Sequence, residues 1–483
     1  MPASVSVLRA ASALTVGALL MTIAGAHAAV AASAVPAPPS IPTQVLAPVT
    51  PSAGDEVPAS TWLASLDTAL SATALGSDVA GLVIDAANGK VLYSRFPNRT
   101  QQPASTIKIL TAITALKAFG PDARLRTSVL SGDQAGHVVL TGGGDSTLAR
   151  TDSAAAGWPA GQGAHPATLS QLAVRTAASL HKAGITSVHL DFDDSLFTGD
   201  HLAPGWKSSF VAAGVVSPVM ALSADGGRTA ADASSRSVDP AQSAAEYFAE
   251  RLRALGVAVA RQVTRVPGPS RSMSSPSQTT PASTTSAAPS STVLASVDSP
   301  PMVDLVERLL TRSDDDLAEA LGHLAGGKLV GSASFKGGVQ ATLDTLEQLG
   351  VSMKGTQLAD ASGLSALNEL DPETFTQTLS AVVANKPFIG SSVGTMWPVA
   401  SGLPIAGVTG TLSDRFSTPK TLFGRGIVRA KTGTLTGVVG LAGMVRDAHG
   451  RVLIFDFDAD RAPGPVAEAR AAVDRAATIV ATG

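Results

Sequence analysis

The stretch VAGLVIDAANGKVLYS at residues 79–94 decides the fold class. Residues 79–85 and 90–94 are apolar runs rich in β-formers, and Asn88-Gly89 between them is a pair that suits a tight hairpin turn. Just before this hairpin, Trp62, Leu63, Leu66 and Leu70 fall at helical spacing, so a helix opens the folded region. The far end of the chain returns to strands: 427–431, 438–445 and 452–458 read as antiparallel partners, and 465–480 as a closing helix. After the hairpin, Pro103 precedes a long apolar stretch at 105–119 that Gly120 ends, the pattern of a helix with a glycine C-cap. Further helices are predicted at 302–310 and 316–324. Strands at both ends with helices packed on them imply an α+β domain, a central antiparallel sheet flanked by helices. A mostly β or mixed insertion across 125–298 interrupts it.

Composition bounds the function. A chain of 483 residues predicts two or three domains, and 45% hydrophobic residues supply a sizeable core. There is no cysteine, which excludes disulfides, thiolate zinc sites, iron–sulfur clusters and a cysteine nucleophile. A net charge of −3 offers no electrostatic case for nucleic acid. The eight histidines contain no H-E-x-x-H pair, so zinc hydrolysis is not expected.

The N-terminus carries Arg9, an uncharged apolar run from Ala10 to Gly25, and Ala26-His27-Ala28. These are the parts of a secretory signal peptide at 1–28, cleaved after Ala28. The alternative is an uncleaved anchor, which would be the protein's only membrane attachment, and either way the protein is exported to the cell envelope, periplasm or medium. A Pro/Ala-rich tether follows at 29–58, and a second low-complexity stretch at about 267–292 reads as a disordered loop within the insertion. The remaining segments, 59–124 and 299–483, form the catalytic domain.

Three short motifs carry chemistry. In Ser105-Thr106-Ile107-Lys108, the i and i+3 side chains share a helix face, so hydroxyl and amine can meet. Serine needs a base to become a nucleophile, and a buried lysine beside another cation can serve. Two other S-x-x-K matches are less suitable. Ser179 sits near the end of a predicted helix at 169–182, where the dipole has the wrong sign, and Pro419 interrupts Ser417/Lys420. Lys431-Thr432-Gly433-Thr434 occurs once, at the end of a predicted strand, and offers a cation, hydroxyls that can grip a carboxylate, and a glycine that admits substrate close to the backbone. Ser313-Asp314-Asp315 supplies a second serine for proton relay. Each motif also has an ordinary reading: a helix start with a solvated lysine, a strand-to-turn junction, and an N-cap cluster in which Asp316 and Glu319 form a capping box.

Together and in this order the motifs resemble those of penicillin-interacting serine enzymes. More narrowly the chain resembles the penicillin-binding protein 4-type D-alanyl-D-alanine carboxypeptidase/endopeptidase family, the class C low-molecular-mass penicillin-binding proteins. Further matching segments are 141–145 (TGGGD), 216–223 (VSPVMALS), 297–301 (VDSPP), 360–365 (DASGLS) and 403–412 (LPIAGVTGTL). The resemblance spans roughly residues 60–480, and the long gap from Ser105 to Ser313 fits a family that inserts domains there. It implies a serine peptidase acting on peptidoglycan stem peptides, inhibited by β-lactams, with no metal or cofactor. Ser105 would be the nucleophile and Lys108 the base, with Ser313 relaying protons and Lys431 shaping the field. Thr432 and Thr434 would hold the substrate carboxylate beside Gly433, and backbone N–H groups of Ser105 and Thr434 would form the oxyanion hole.

One position departs. The family's Ser-x-Asn reads Ser-Asp-Asp here, so Asp315 replaces a substrate-facing amide. An ionised Asp accepts but cannot donate, and its charge would hold Lys108 protonated and unable to act as base. Pairing of Asp315 with Lys431, or its own protonation, would preserve activity. The alternative function is a catalytically weak peptidoglycan-binding or scaffolding homologue. A G-x-S-x-G match at Gly390–Gly394 lacks a clear preceding strand and is set aside. Trp62, Trp158, Trp206 and Trp397 read as core or pocket residues.

Overall fold

A computed structural model describes residues 60–134, 136–155, 165–230, 233–267, 291–388 and 396–483. The signal peptide, the tether, nearly all of the 267–292 loop, Trp158 and the Gly390–Gly394 match lie outside the described residues.

Helix α1 (Ser60–Leu70) buries Trp62, Leu66, Ala69 and Leu70. Strands β1 (Val79–Asp85) and β2 (Val91–Arg95) form the expected hairpin. Gly89 takes φ +72°, and Asn88 Oδ1 accepts from Lys90 N at 2.8 Å. Helix α2 (Lys108–Phe119) ends at Gly120, as predicted, but its first turn is a 3-10 turn, Ala104–Ile107. The chain then builds a second sheet from β3 (Arg126–Ser131), β4 (His137–Thr141), β5 (Ser187–Asp193), β6 (Ala258–Val259), β7 (Thr264–Arg265) and β8 (Val293–Asp298). Its order is β6-β5-β4-β3-β8, with β7 also on β5. Helices α3 (Asp152–Ala155), α4 (Leu169–Lys182) and α5 (Pro240–Ala254) interleave with these strands, so this region is mixed. Its core joins Leu140, Leu172, Phe192 and Phe248. Strands β3 and β8 lie side by side with Arg126 opposite Asp298, and Ser299 N donates to Leu125 O at 2.8 Å.

From there the chain forms α6 (Met302–Arg312), α7 (Asp315–Val330), α8 (Phe335–Gln348), α9 (Pro372–Val383) and α10 (Trp397–Gly402). Strands β9 (Arg429–Leu435), β10 (Val438–Arg446) and β11 (Val452–Ala459) precede α11 (Val466–Thr482). The main sheet runs β2-β1-β11-β10-β9, antiparallel throughout, so the N-terminal hairpin closes onto the last strand. Alternation along the strands feeds two cores. Phe455, Phe457 and Leu441 pack with α1 and α11, while Ile454 and Ala442 pack with α2, α6, α7 and α9. The expected α+β architecture is present.

Two local expectations change. Strand β9 runs through Lys431-Thr432-Gly433-Thr434 instead of ending there, because its ladder to β10 continues with Thr432 opposite Leu441 and Thr434 opposite Val439. Trp397 is 58% exposed, so it is not a core residue. Among the described residues no helix is long and apolar enough to cross a membrane.

Asp456 and Asp458, on the α2-facing side of β11, are fully buried and interact with each other, and no other donor reaches either carboxyl among the described residues. Burial, reinforced by the charge of Asp458, pushes Asp456 well up, and burial pushes Asp458 up to about 7. A raised carboxyl binds its proton more tightly when folded. Its contribution is complete below the ordinary value of about 3.9 and is lost as pH rises through about 7. Asp458→Asn is therefore expected to raise the Tm by a few degrees at pH 8 and by little at pH 5. Calorimetry showing no gain at pH 8 would rule this out.

Candidate active site

Ser105 lies in the 3-10 turn that feeds α2. The turn starts on Ala104 at φ +47°, a left-handed conformation that alanine seldom takes. One turn further on, Lys108 is 0% exposed. Its Nζ donates to Ser105 Oγ at 2.8 Å, Asp315 Oδ1 at 2.6 Å and the Ser362 carbonyl at 2.6 Å. An ammonium making all three bonds has no lone pair left; as a neutral amine it keeps two of them and turns its lone pair to the third partner.

Ser313 closes α6 in the left-handed region, at φ +57°. That turn directs its hydroxyl to Lys431, whose Nζ donates to Ser313 Oγ at 2.9 Å and to the Thr432 carbonyl at 2.8 Å. Burial, then the positive charge of Lys108, hold Lys431 well below the ordinary lysine range, while Asp315 acts in the opposite sense. Burial pushes Asp315 up, against the pull of Lys108. The two lysines thus differ: Lys108 is ion-paired, and Lys431 is biased toward the neutral amine.

Glycines bring these pieces together. A Cβ on Gly433 would lie 2.5 Å from the Pro103 carbonyl, so only glycine lets β9 run against the Ser105 turn. Gly363 adopts φ +87°, and a Cβ there would lie 1.9 Å from the Ala104 carbonyl. The segment that carries Gly363 is held by two buried acids. Asp360 accepts from Trp206 Nε1, Gly363 N, Ser365 N and Asn368 Nδ2 at 2.7–2.9 Å. Glu319 accepts from Ser362 N at 2.9 Å and from Ala361 N at 3.2 Å. Burial, aided by the charge of Asp360, pushes Glu319 well up.

The predicted Ser105, Lys108, Ser313 and Lys431 therefore converge, though widely spaced in the chain. Asp315 pairs with Lys108 and not with Lys431. Thr432 Oγ1 lies 2.9 Å from Thr411 Oγ1, and the half-buried Thr434 follows one residue beyond Gly433 on the edge strand of the sheet. The capping-box expectation for Asp316 fails. Asp314 is the N-cap, accepting from Leu317 N at 3.1 Å, because α7 starts one residue earlier. Asp316 instead pairs with Arg236 at 3.1 Å and accepts from Ser217 N, and Glu319 holds the Ser362 segment. Ser179 is bonded to the Leu294 carbonyl, outside this cleft. Sequence reasoning missed the roles of Glu319, Thr411 and the Ser362 carbonyl. Residues 360–365 belonged to the resemblance, but no side-chain pattern assigns a function to a backbone oxygen.

A profile described as the D-Ala-D-Ala carboxypeptidase 3 (S13) family matches residues 62–237 and 229–480. The chain belongs to that S13 family. A carboxypeptidase DacB from Mycolicibacterium smegmatis is 33% identical over 99% of this chain and 95% of its own length. A carboxypeptidase from Mycobacterium tuberculosis is also 33% identical, covering 92% of this chain and 89% of its own. The penicillin binding protein 4 structure from Haemophilus influenzae shares the fold, with TM-score 0.65 and 21% identity over 86% of this chain and 98% of that one. As an S13 member the chain is a serine-type D-Ala-D-Ala carboxypeptidase of peptidoglycan metabolism.

Proposed function

We propose that Ser105 attacks the carbonyl between the two terminal D-alanines of a stem peptide and carries the acyl group until water releases it. The supporting observation is the bonded set Ser105–Lys108–Asp315 facing Ser313–Lys431. In the reactive state Lys108 is neutral, with N–H bonds to Asp315 and the Ser362 carbonyl and its lone pair toward Ser105. It takes the Ser105 proton as the C–O bond forms. Ser313, backed by Lys431, passes a proton to the departing D-alanine amine. N–H groups of Ser105 and Thr434 receive the oxyanion, and the hydroxyls of Thr432 and Thr434 receive the terminal carboxylate. β-Lactams acylate the same serine. Residues 59–124 and 299–483 form the catalytic domain and 125–298 the insertion, and the enzyme works in the cell envelope after export.

Fluorescent penicillin is expected to label the purified protein on the peptide containing Ser105, and a D-Ala-D-Ala stem peptide to lose one alanine. Neither label nor alanine release would reject the mechanism and favour a binding homologue. Asp315 supplies a sharper test. Its carboxylate stabilises the ammonium of Lys108, which must be lost before Ser105 can be deprotonated. Asp315→Asn keeps an acceptor and removes the counter-ion. Acylation at neutral pH should rise about tenfold. An unchanged or slower rate would show that the ion pair is not the brake.

A further inference from the structure

Residues 415–429 (RFSTPKTLFGRGIVR) carry four basic side chains and no acid, in a chain whose net charge is −3. The segment is folded in place. Leu422–Gly424 form a 3-10 turn, Gly426 N donates to Ala406 O at 2.8 Å, and Ala406 N donates to Val428 O at 3.0 Å. It nonetheless turns apolar side chains outward: Leu422 is 50% exposed, Phe423 48% and Ile427 36%, and Val408 on the neighbouring segment is 57% exposed. Arg425 crosses Gly407, where a Cβ would lie 2.6 Å from its Cγ, so a cation stands next to Val408. Arg415 is paired with Asp474 at 2.6 Å. Lys420, Arg425 and Arg429 have no ion-pair partner among the described residues, and the exposed Asp414 at the start of the segment leaves a surplus of positive charge.

Exposed Leu, Phe and Ile set among Lys and Arg make a surface suited to the boundary between acyl chains and acidic headgroups. A second copy of the chain fits less well, because an isologous contact would bring the same cations together. The position in the fold agrees. Thr478 Oγ1 donates to Thr421 O at 3.3 Å, and one residue on, Ile479 O accepts from Trp62 Nε1 at 2.8 Å. The segment and helix α1, where the described residues begin, thus meet the same end of α11. The chain reaches that end from its apolar N-terminal run.

We propose that residues 415–429 dock on an anionic lipid surface, with Leu422, Phe423 and Ile427 entering the interface and Lys420 and Arg425 meeting the headgroups. The proposal is independent of the catalytic reading. Because β9 joins Arg429 to Lys431, docking also sets how far the cleft stands from the lipid.

The chain has no cysteine, so one introduced thiol can be labelled alone. Phe423→Cys in the full chain, carrying an environment-sensitive fluorophore, is mixed with vesicles of pure phosphatidylcholine or of an equimolar phosphatidylglycerol–phosphatidylcholine mixture. Emission should shift to the blue with the anionic vesicles alone, and added salt should weaken the response. The same label on Val238→Cys, 84% exposed in the second-sheet region, should not respond. Adding Lys420→Glu and Arg425→Glu to Phe423→Cys should lower the apparent vesicle affinity at least about tenfold, with an unchanged thermal melt. No shift at position 423, an equal shift at 238, or full affinity after the charge reversal would overturn the proposal. So would co-sedimentation with vesicles while the label at 423 stays in water, since the N-terminal run alone would then hold the protein. A blue shift without vesicles that grows with protein concentration would assign the face to a second copy instead.

Discussion

Ser105→Ala protein is expected to release alanine from a stem peptide at least about 10³-fold more slowly than wild type and to take up no labelled penicillin. The reason is local. Among the described residues Ser105 Oγ is the one hydroxyl bonded to Lys108 Nζ, and Ser313 Oγ is bonded to Lys431 instead. Ser313 cannot stand in, because its neighbouring amine and its place on the αL turn serve the other side of the cleft. Removing the hydroxyl also removes one of three acceptors of Lys108 but leaves Asp315 and the Ser362 carbonyl, so the ammonium stays paired and the Tm should hold. Substrate binding should persist. Mass spectrometry of the labelled protein and a thermal melt decide it. Full labelling of Ser105→Ala would move the nucleophile elsewhere.

The second large effect belongs to Gly363→Ala. At φ +87° any L side chain costs about 1–2 kcal/mol, and here the new Cβ would also lie 1.9 Å from the Ala104 carbonyl. Backbone must move on one side or the other. Ala104 is itself at φ +47° and leads directly into Ser105, so the displacement falls on Ser105. A shift near 1 Å costs on the order of 10² in rate, and the strain should lower stability by several kcal/mol in addition. Gly89→Ala is the control. It has φ +72° but nothing within 4 Å, so it should lose only about 1 kcal/mol and no activity. Penicillin acylation kinetics on both variants, with denaturant titrations, separate the two contributions. Equal activity losses in both would show that the clash at Ala104 is relieved elsewhere.

The strands, the helix that follows Ser105 and the four polar residues that converge on the cleft were legible because periodicity and i, i+3 spacing act over short range. Legibility stopped where tertiary contact decides. Strand β9 outruns its predicted end because the apparent breaker, Gly433, is required by the approach of Pro103. Asp316 has the spacing of a capping residue, yet Arg236, distant in sequence, draws it away. Glu319 has a helix-surface pattern, but it is buried and carries the loop that braces Lys108. In the departing motif, the sequence showed that an acid stood at 315 but not which lysine it would choose.

Where β3 and β8 run side by side, the chain leaves at Leu125 and comes back at Ser299, and those two residues are hydrogen-bonded to each other. A fold with such adjoining ports can lengthen or shorten the loops between them without re-registering β1 against β11. Part of that interval is tied to the site, since Trp206 donates to Asp360 and both Ser217 and Arg236 hold Asp316. Loops between those anchors can vary the wall of a cavity beside Ser313 while the anchors keep the cleft of the two serines and two lysines in place.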